Sequence, residues 1–220
     1  MPEVAVCPAV VAMLMAAVAV FAPALLPLWA IAVLEGILGV VLVWALLFFR
    51  DPHRETPQDD ALLLAPADGR ITDVERVEET DFIGGPALRV GIFLSLFDTH
   101  INRAPCDARV ERITHRRGRY VNAMNPLAGK VNESNNVAMV RTNHPEDRLV
   151  VRQISGAVAR RIVCAVREGQ RLAGGERFGM IKFGSRTELY LPASERVDCM
   201  VRPGDKVKAG VTPLVRYLDL

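Results

Sequence analysis

Met180-Ile181-Lys182-Phe183-Gly184-Ser185-Arg186-Thr187-Glu188-Leu189-Tyr190-Leu191 reads as one continuous strand, interrupted in its middle by a Gly-Ser pair. Glycine inside a strand weakens it and marks a bend or a close backbone approach. Two readings of the pair follow. Gly184 is a β-bulge glycine followed by a surface serine, or its carbonyl stands unshielded beside the Ser185 hydroxyl, which can then attack it.

Outward from this stretch the chain is punctuated by short β-type runs separated by Gly, Pro and Asp turns: Gly69 to Val74, Leu88 to Leu94, Ala108 to Thr114, Asn136 to Thr142 and Leu149 to Ile154. Helical periodicity is scarce. The pattern predicts one helix, Ala157 to Val166, with Val158, Ile162, Val163 and Val166 on one face and Arg160 and Arg161 turned away. The segments Ala65-Pro66-Ala67-Asp68-Gly69-Arg70-Ile71 and Val201-Arg202-Pro203-Gly204-Asp205-Lys206-Val207-Lys208-Ala209-Gly210 are similar to the strand-turn-strand corners of lipoyl and biotinyl carrier domains. The expected fold is therefore mostly β, a barrel-sandwich domain with a small helical element. Carrier function does not transfer, because no hairpin with a modifiable lysine lies between the two corners.

The first fifty residues differ in kind. From Val4 to Phe49 every residue is apolar or small except Glu35, whereas nearly all Lys, Arg, Asp and Glu come after Arg50. A bilayer span takes about 20 apolar residues, so the block has room for two, with Pro23 and Pro27 at the turn and Trp29 and Trp44 suited to the interfacial belts. Glu35 is costly at membrane depth, and a re-entrant hairpin is the equal alternative. A secretory signal fits poorly, since no basic residue precedes the apolar run. The expected organisation is a hydrophobic membrane-anchoring hairpin, residues 1–50, and a β-rich domain, residues 51–220. Arg50 and Arg54 place that domain on the cytoplasmic face of the cell membrane.

Net charge is +2, and removing the first fifty residues with Glu3, Glu35 and Arg50 moves it to +3. That is mildly attractive to anionic lipid and a weak argument for nucleic acid, which is not expected as a partner. Cys7, Cys106, Cys164 and Cys199 have no CxxC spacing, so neither a metal site nor a disulfide framework is expected. Buried thiols in a reducing compartment agree with the cytoplasmic orientation.

Attack by Ser185 Oγ on the Gly184 carbonyl converts the amide to an ester. β-Elimination then cuts the chain and leaves a dehydroalanine, which hydrolyses to an N-terminal pyruvoyl group. Such chemistry needs a base and an acid. Among the four histidines, His53 and His144 lie in turn or loop contexts, while His100 ends an apolar strand and His115 follows another. If Pro105 to Ala108 turns a hairpin, His100 and His115 become cross-strand neighbours. Asp68 and Asp98 are the carboxylates available to orient an imidazole, although each also suits plain turn or strand-end chemistry.

Taken together, these residues resemble the short bacterial and archaeal form of phosphatidylserine decarboxylase over nearly the full length. The landmarks are Phe48-Phe49-Arg50-Asp51-Pro52, Ala65-Pro66-Ala67-Asp68-Gly69, Phe97-Asp98-Thr99-His100-Ile101-Asn102-Arg103-Ala104-Pro105, Val158-Ala159-Arg160-Arg161-Ile162-Val163 and Ile181-Lys182-Phe183-Gly184-Ser185-Arg186. The resemblance implies self-cleavage between Gly184 and Ser185 into a β chain (1–184) and an α chain (185–220). It implies a covalent pyruvoyl group from Ser185, which is the Schiff-base site, and a membrane lipid, phosphatidylserine, as substrate. Asp68 matches the aspartate of the maturation triad and His100 the histidine of the decarboxylation step. The longer bacterial form has a second histidine where this chain has Arg103, and Leu-Gly-Ser-Thr where it has Phe-Gly-Ser-Arg. His115 is the residue expected to supply the missing imidazole, and the maturation base stays open between His115 and His100. Arg103, Arg116, Arg117 and Lys130 are candidate donors to the lipid phosphate and the serine carboxylate. Homo-oligomer formation is left open. Two rivals remain: a pyruvoyl decarboxylase of free amino acids, and an uncleaved, membrane-tethered binding module.

Overall fold

The computed structural model describes residues 3–125, 127–157, 161–181 and 184–218, and the chain divides into two compact units, residues 1–52 and 53–220. In the first unit, α1 (Glu3–Phe21) and α2 (Leu28–Phe48) are joined by a 3-10 turn, Ala22–Ala24. Leu25 and Leu26 both donate to the Ala22 carbonyl, and Ala30 and Ile31 to that of Pro27. The chain therefore reverses between Pro23 and Pro27, where a missing N–H costs nothing. The helices are apolar on all sides, which suits lipid or a core. Their 19 and 21 residues reach about 30 Å, the thickness of a hydrocarbon layer. Large side chains such as Met13, Trp29, Ile37 and Val40 are exposed. By length and composition both helices can cross a membrane.

The second unit is built from β1 (Leu62–Leu64), β2 (Gly69–Glu79), β3 (Gly85–Leu94), β4 (Ile101–Arg103), β5 (Ala108–Arg116), the one-turn α3 (Ala128–Val131), β6 (Ser134–Arg141) and β7 (Arg148–Ile154). It continues with β8 (Ile162–Cys164), β9 (Arg171–Leu172), β10 (Arg177–Ile181), β11 (Ser185–Pro192), β12 (Val197–Cys199), β13 (Lys206–Val207) and β14 (Pro213–Tyr217). A curled sheet of order β13-β2-β3-β11-β7-β6-β5-β9 carries two small sheets, β4-β10-β8 and β1-β14-β12. The mostly β class and the apolar helix pair are as expected.

Two local expectations are corrected. The segment expected as a helix holds strand β8 at Ile162–Cys164, antiparallel to β10; its Val158, Ala159 and Arg160 lie outside the described residues. The run Ile162-Val163-Cys164 is short and mostly β-branched, so pairing with β10 wins over the weak 3.6-residue period. The helical element is α3 instead. Pro105 to Ala108 makes no hairpin: β4 pairs with β10, while β5 pairs with β6 and β9. The chain changes sheets there, with Ala104 N–H donating to Glu176 and the Pro105 carbonyl accepting from Leu64.

Strand alternation sorts β11 into two faces. Leu189 and Leu191 join Val90, Ile92, Leu94, Val137, Met139, Leu149 and Val151 in the main core. Arg186, Glu188 and Tyr190 face the other way into a buried charged network. Glu188, 1% exposed, accepts from Arg186 Nε at 2.8 Å and from the Tyr190 hydroxyl at 2.5 Å. Arg186 also bonds Asp73 at 2.6 Å and the Thr72 hydroxyl at 2.7 Å. Gly91 lies beneath; a Cβ there would fall 2.2 Å from Arg186 Nη2.

Glu188→Ala strands Arg186 and should cost about 3 to 5 kcal/mol, seen as a lower thermal midpoint. The network also sets an acid limit. Burial pushes the Asp73 carboxyl up, but hydrogen bonds from Thr72 and Arg186 and the charges of Arg186 and Arg89 outweigh it and hold the group below its ordinary value. A depressed folded value means that Asp73 contributes fully above the unfolded carboxylate range and loses that contribution as pH falls through the folded value. Thermal midpoints recorded from pH 7 down to about pH 2, across the carboxylate range, should fall less steeply in Asp73→Asn than in the parent.

Candidate active site

Toward one end of the main sheet the core face turns from apolar to polar. Asn135, Gln153 and Thr187 occupy the strand positions that continue the rows of Val137, Val151 and Leu189, and all are buried. Asn135 Nδ2 donates to Gln153 Oε1 (2.9 Å), Gln153 Nε2 to Asn102 Oδ1 (2.8 Å), and Asn102 Nδ2 to Thr187 Oγ1 (3.0 Å). The chain of amides crosses from the main sheet to β4. Gly179 makes room for it, since a Cβ there would sit 2.6 Å from Gln153 Nε2. Asn102 is two residues from His100, and Thr187 is two from Ser185.

Ser185 starts β11 opposite Leu94. It is fully buried, and its Oγ has no hydrogen-bond partner. A shielded hydroxyl without a partner forfeits about 1 to 3 kcal/mol, and such exceptions call for a chemical reason. Gly184 before it adopts φ +65°, a left-handed conformation open to glycine without strain. Its carbonyl oxygen is pressed against Gly156, where a Cβ would lie only 2.0 Å away. The absence of a side chain at Gly156 therefore leaves room for the Gly184 carbonyl.

His100 brackets the same bend. Its backbone carbonyl accepts from Ile181 N–H at 3.2 Å, and its ring Nε2 accepts from Gly184 N–H at 3.2 Å. An accepting Nε2 is unprotonated, so the proton is on Nδ1, which donates to the Asp98 carbonyl at 2.9 Å. The imidazole is thus fully buried and presents its basic nitrogen one peptide unit from the Gly184–Ser185 bond. Asp98 orients the ring through its backbone; its carboxylate caps the turn at the Ser95 N–H and hydroxyl.

The other expected residues stand elsewhere. The Asp68 carboxylate takes both terminal nitrogens of Arg54 at 2.7 Å and the Ala209 N–H at 2.8 Å. His115 is not a neighbour of His100. It pairs with Asn135 on β6, three strand steps from Thr187, a distance of about 14 Å. Its Nε2 meets Glu133 at 2.9 Å near the surface, and Tyr120 donates to the same carboxylate. Burial raises the Glu133 carboxyl, but these two hydrogen bonds outweigh it and keep the group below its ordinary range. Arg103 is buried and donates to the Gly175 carbonyl at 2.9 Å. Arg116 donates to the carbonyls of Gly129 and Lys130. The sequence reading missed Gly156 and the four amide and hydroxyl partners, although polar residues at core-facing strand positions were a visible signal.

A sequence model of phosphatidylserine decarboxylase matches residues 42–214. The chain belongs to the phosphatidylserine decarboxylase family. It is 46% identical over 189 residues to a phosphatidylserine decarboxylase proenzyme of Symbiobacterium thermophilum, covering 86% of this chain and 84% of that one. It is 46% identical over 183 residues to the proenzyme of Xanthobacter autotrophicus, 81% and 76% covered. To that of Carboxydothermus hydrogenoformans it is 41% identical over 177 residues, 80% and 81% covered. This is a family of carboxy-lyases made as proenzymes.

Two substitutions separate positioning from chemistry. Ser185→Ala should leave one uncut chain with stability within about 0.5 kcal/mol of the parent or above it, since the hydroxyl makes no bond. Gly156→Ala should fold but cut about 100-fold more slowly, because the scissile carbonyl is displaced. Gel analysis of fresh and aged protein reads both.

Proposed function

We propose that the chain cuts itself between Gly184 and Ser185 and that the product decarboxylates phosphatidylserine to phosphatidylethanolamine. The observation that carries this reading is the buried, unpartnered Ser185 hydroxyl beside a carbonyl seated on Gly156, with His100 Nε2 at the same bend. His100 takes the Ser185 proton as Oγ bonds to the Gly184 carbonyl carbon; the C–N bond breaks and the proton passes to the departing amine. Loss of the Cα proton of residue 185 then expels the Gly184 carboxylate, giving chains 1–184 and 185–220. Water adds to the dehydroalanine, ammonia leaves, and a pyruvoyl group remains. Its carbonyl supplies an electron sink for loss of carbon dioxide from a substrate amine.

The residues fit that group, because Ser185 is buried from water and His100 Nε2, able to hold and return a proton once it releases the Gly184 N–H, lies at the residue before it. His100 Nε2 is the atom assigned to that return. Asp68 keeps the supporting role that the family resemblance implies, which requires its Arg54 clamp to exchange. His115 is assigned to holding the surface loop through Glu133, and the base of maturation is His100. The α1–α2 pair is assigned to the cell membrane, with Arg50 and Arg54 keeping the catalytic unit on the cytoplasmic face.

Intact mass spectrometry tests the reading: two chains divided after Gly184 are expected, the smaller carrying a borohydride-reducible carbonyl in place of an N-terminal serine. A single stable chain with full decarboxylase activity would sink it. His100→Ala should reduce the rate of cutting by about 100-fold or more, followed as the uncut fraction over time.

A further inference from the structure

We infer that the loop between β5 and β6, together with the Leu96-Phe97 turn, is a bilayer-docking surface that seats the mouth of the site on anionic lipid. The inference rests on the proposed lipid substrate. Within the second unit, large exposed apolar side chains gather on these two segments: Phe97 is 76% exposed, Met124 65% and Leu127 57%, with Leu96 and Tyr120 less so. Single exposed apolar residues are ordinary, but a group of them on adjoining loops marks a contact surface.

Both segments border the scissile bond. Leu96 Cδ2 lies 3.9 Å from the Cβ position of Gly184, and Ala123 Cβ lies 3.4 Å from that of Gly156, which abuts the Gly184 carbonyl. The loop is also held in shape. Asn132 bonds both the N–H and the carbonyl of Val121 and reaches the Ser155 carbonyl. Asn122 and Asn125 side chains accept from Met124 and Leu127 N–H groups.

Charge selects the occupant. Between Arg112 and Glu133 there is no Asp or Glu, whereas Arg116, Arg117, Arg119 and Lys130 all fall there and are exposed. Glu133, the next carboxylate, is already taken by His115 and Tyr120. Apolar tips on a loop that carries exposed cations match a membrane surface with anionic headgroups, where the tips enter the acyl boundary and the cations meet phosphates. A protein partner would more often meet such cations with an acidic face and bury a larger apolar area.

The full chain carrying Met124→Asp and Leu127→Asp tests this. It should cut itself normally and decarboxylate a short-chain, monomeric phosphatidylserine as the parent does. On phosphatidylserine in phosphatidylcholine vesicles its apparent KM should rise about tenfold with kcat unchanged. Hydrogen exchange of parent protein in nanodiscs should show protection of residues 117–125 that is greater in phosphatidylcholine mixed with phosphatidylglycerol than in phosphatidylcholine alone, and lost in Arg119→Glu. Equal KM on vesicles for parent and double variant, with no lipid-dependent protection, overturns the docking surface. A parent chain inactive on the monomeric lipid overturns the decarboxylase reading, and the exchange experiment then judges the surface independently.

Discussion

Asn102 accepts from Gln153 and donates to Thr187, and through these two bonds the small sheet of β4, β10 and β8 is fixed to the main sheet. The amides are sealed from water, so each lost partner leaves a group that nothing else can satisfy. β4 has only three residues and little apolar area of its own to hold it. Its register, and with it the place of His100, depends on this polar clasp. The position of Ser185 follows in the same way from Thr187, two residues along β11. A site assembled from two sheets needs such a constraint, because the hydrophobic effect alone is non-directional and would tolerate a slipped strand.

Glycine does the complementary work. Gly179 lets Gln153 reach Asn102, Gly156 lets the Gly184 carbonyl come close, and Gly91 lets Arg186 lie flat on the outer face. At each place a polar group occupies the volume that a methyl would fill. β11 thus serves two environments. One face carries Ser185 and the core, and the other carries the Arg186–Glu188–Asp73 network, whose charges are stabilising only because they are mutually paired. Strand β11 is thus held on both faces.

The apolar surface is divided between two parts of the sequence. α1 and α2 are uniformly apolar, while the β5–β6 loop mixes apolar side chains with cations and is held in shape by its asparagines.

How far the sequence could be read depended on the range of the interaction. The Gly184-Ser185 pair, the all-apolar first fifty residues and the strand-rich remainder were legible, because composition and local pattern carry them. The helix expected from Ala157 failed because a short β-branched run has no conformation of its own until a partner strand, here β10, is supplied. The pairing of His100 with His115 failed for a similar reason: proximity in sequence suggested a hairpin, and the chain instead changed sheets at Ala104 to Asp107. By itself the sequence determined the membrane-length helices, the β class and the family. Only the tertiary structure decided that the His100 ring meets the Gly184 N–H, that Gly156 makes room for the Gly184 carbonyl, and that Asp68 is clamped by Arg54. Those facts are contacts between residues far apart in the chain, and strand pairing across sheets is set by packing and burial, which no local pattern encodes.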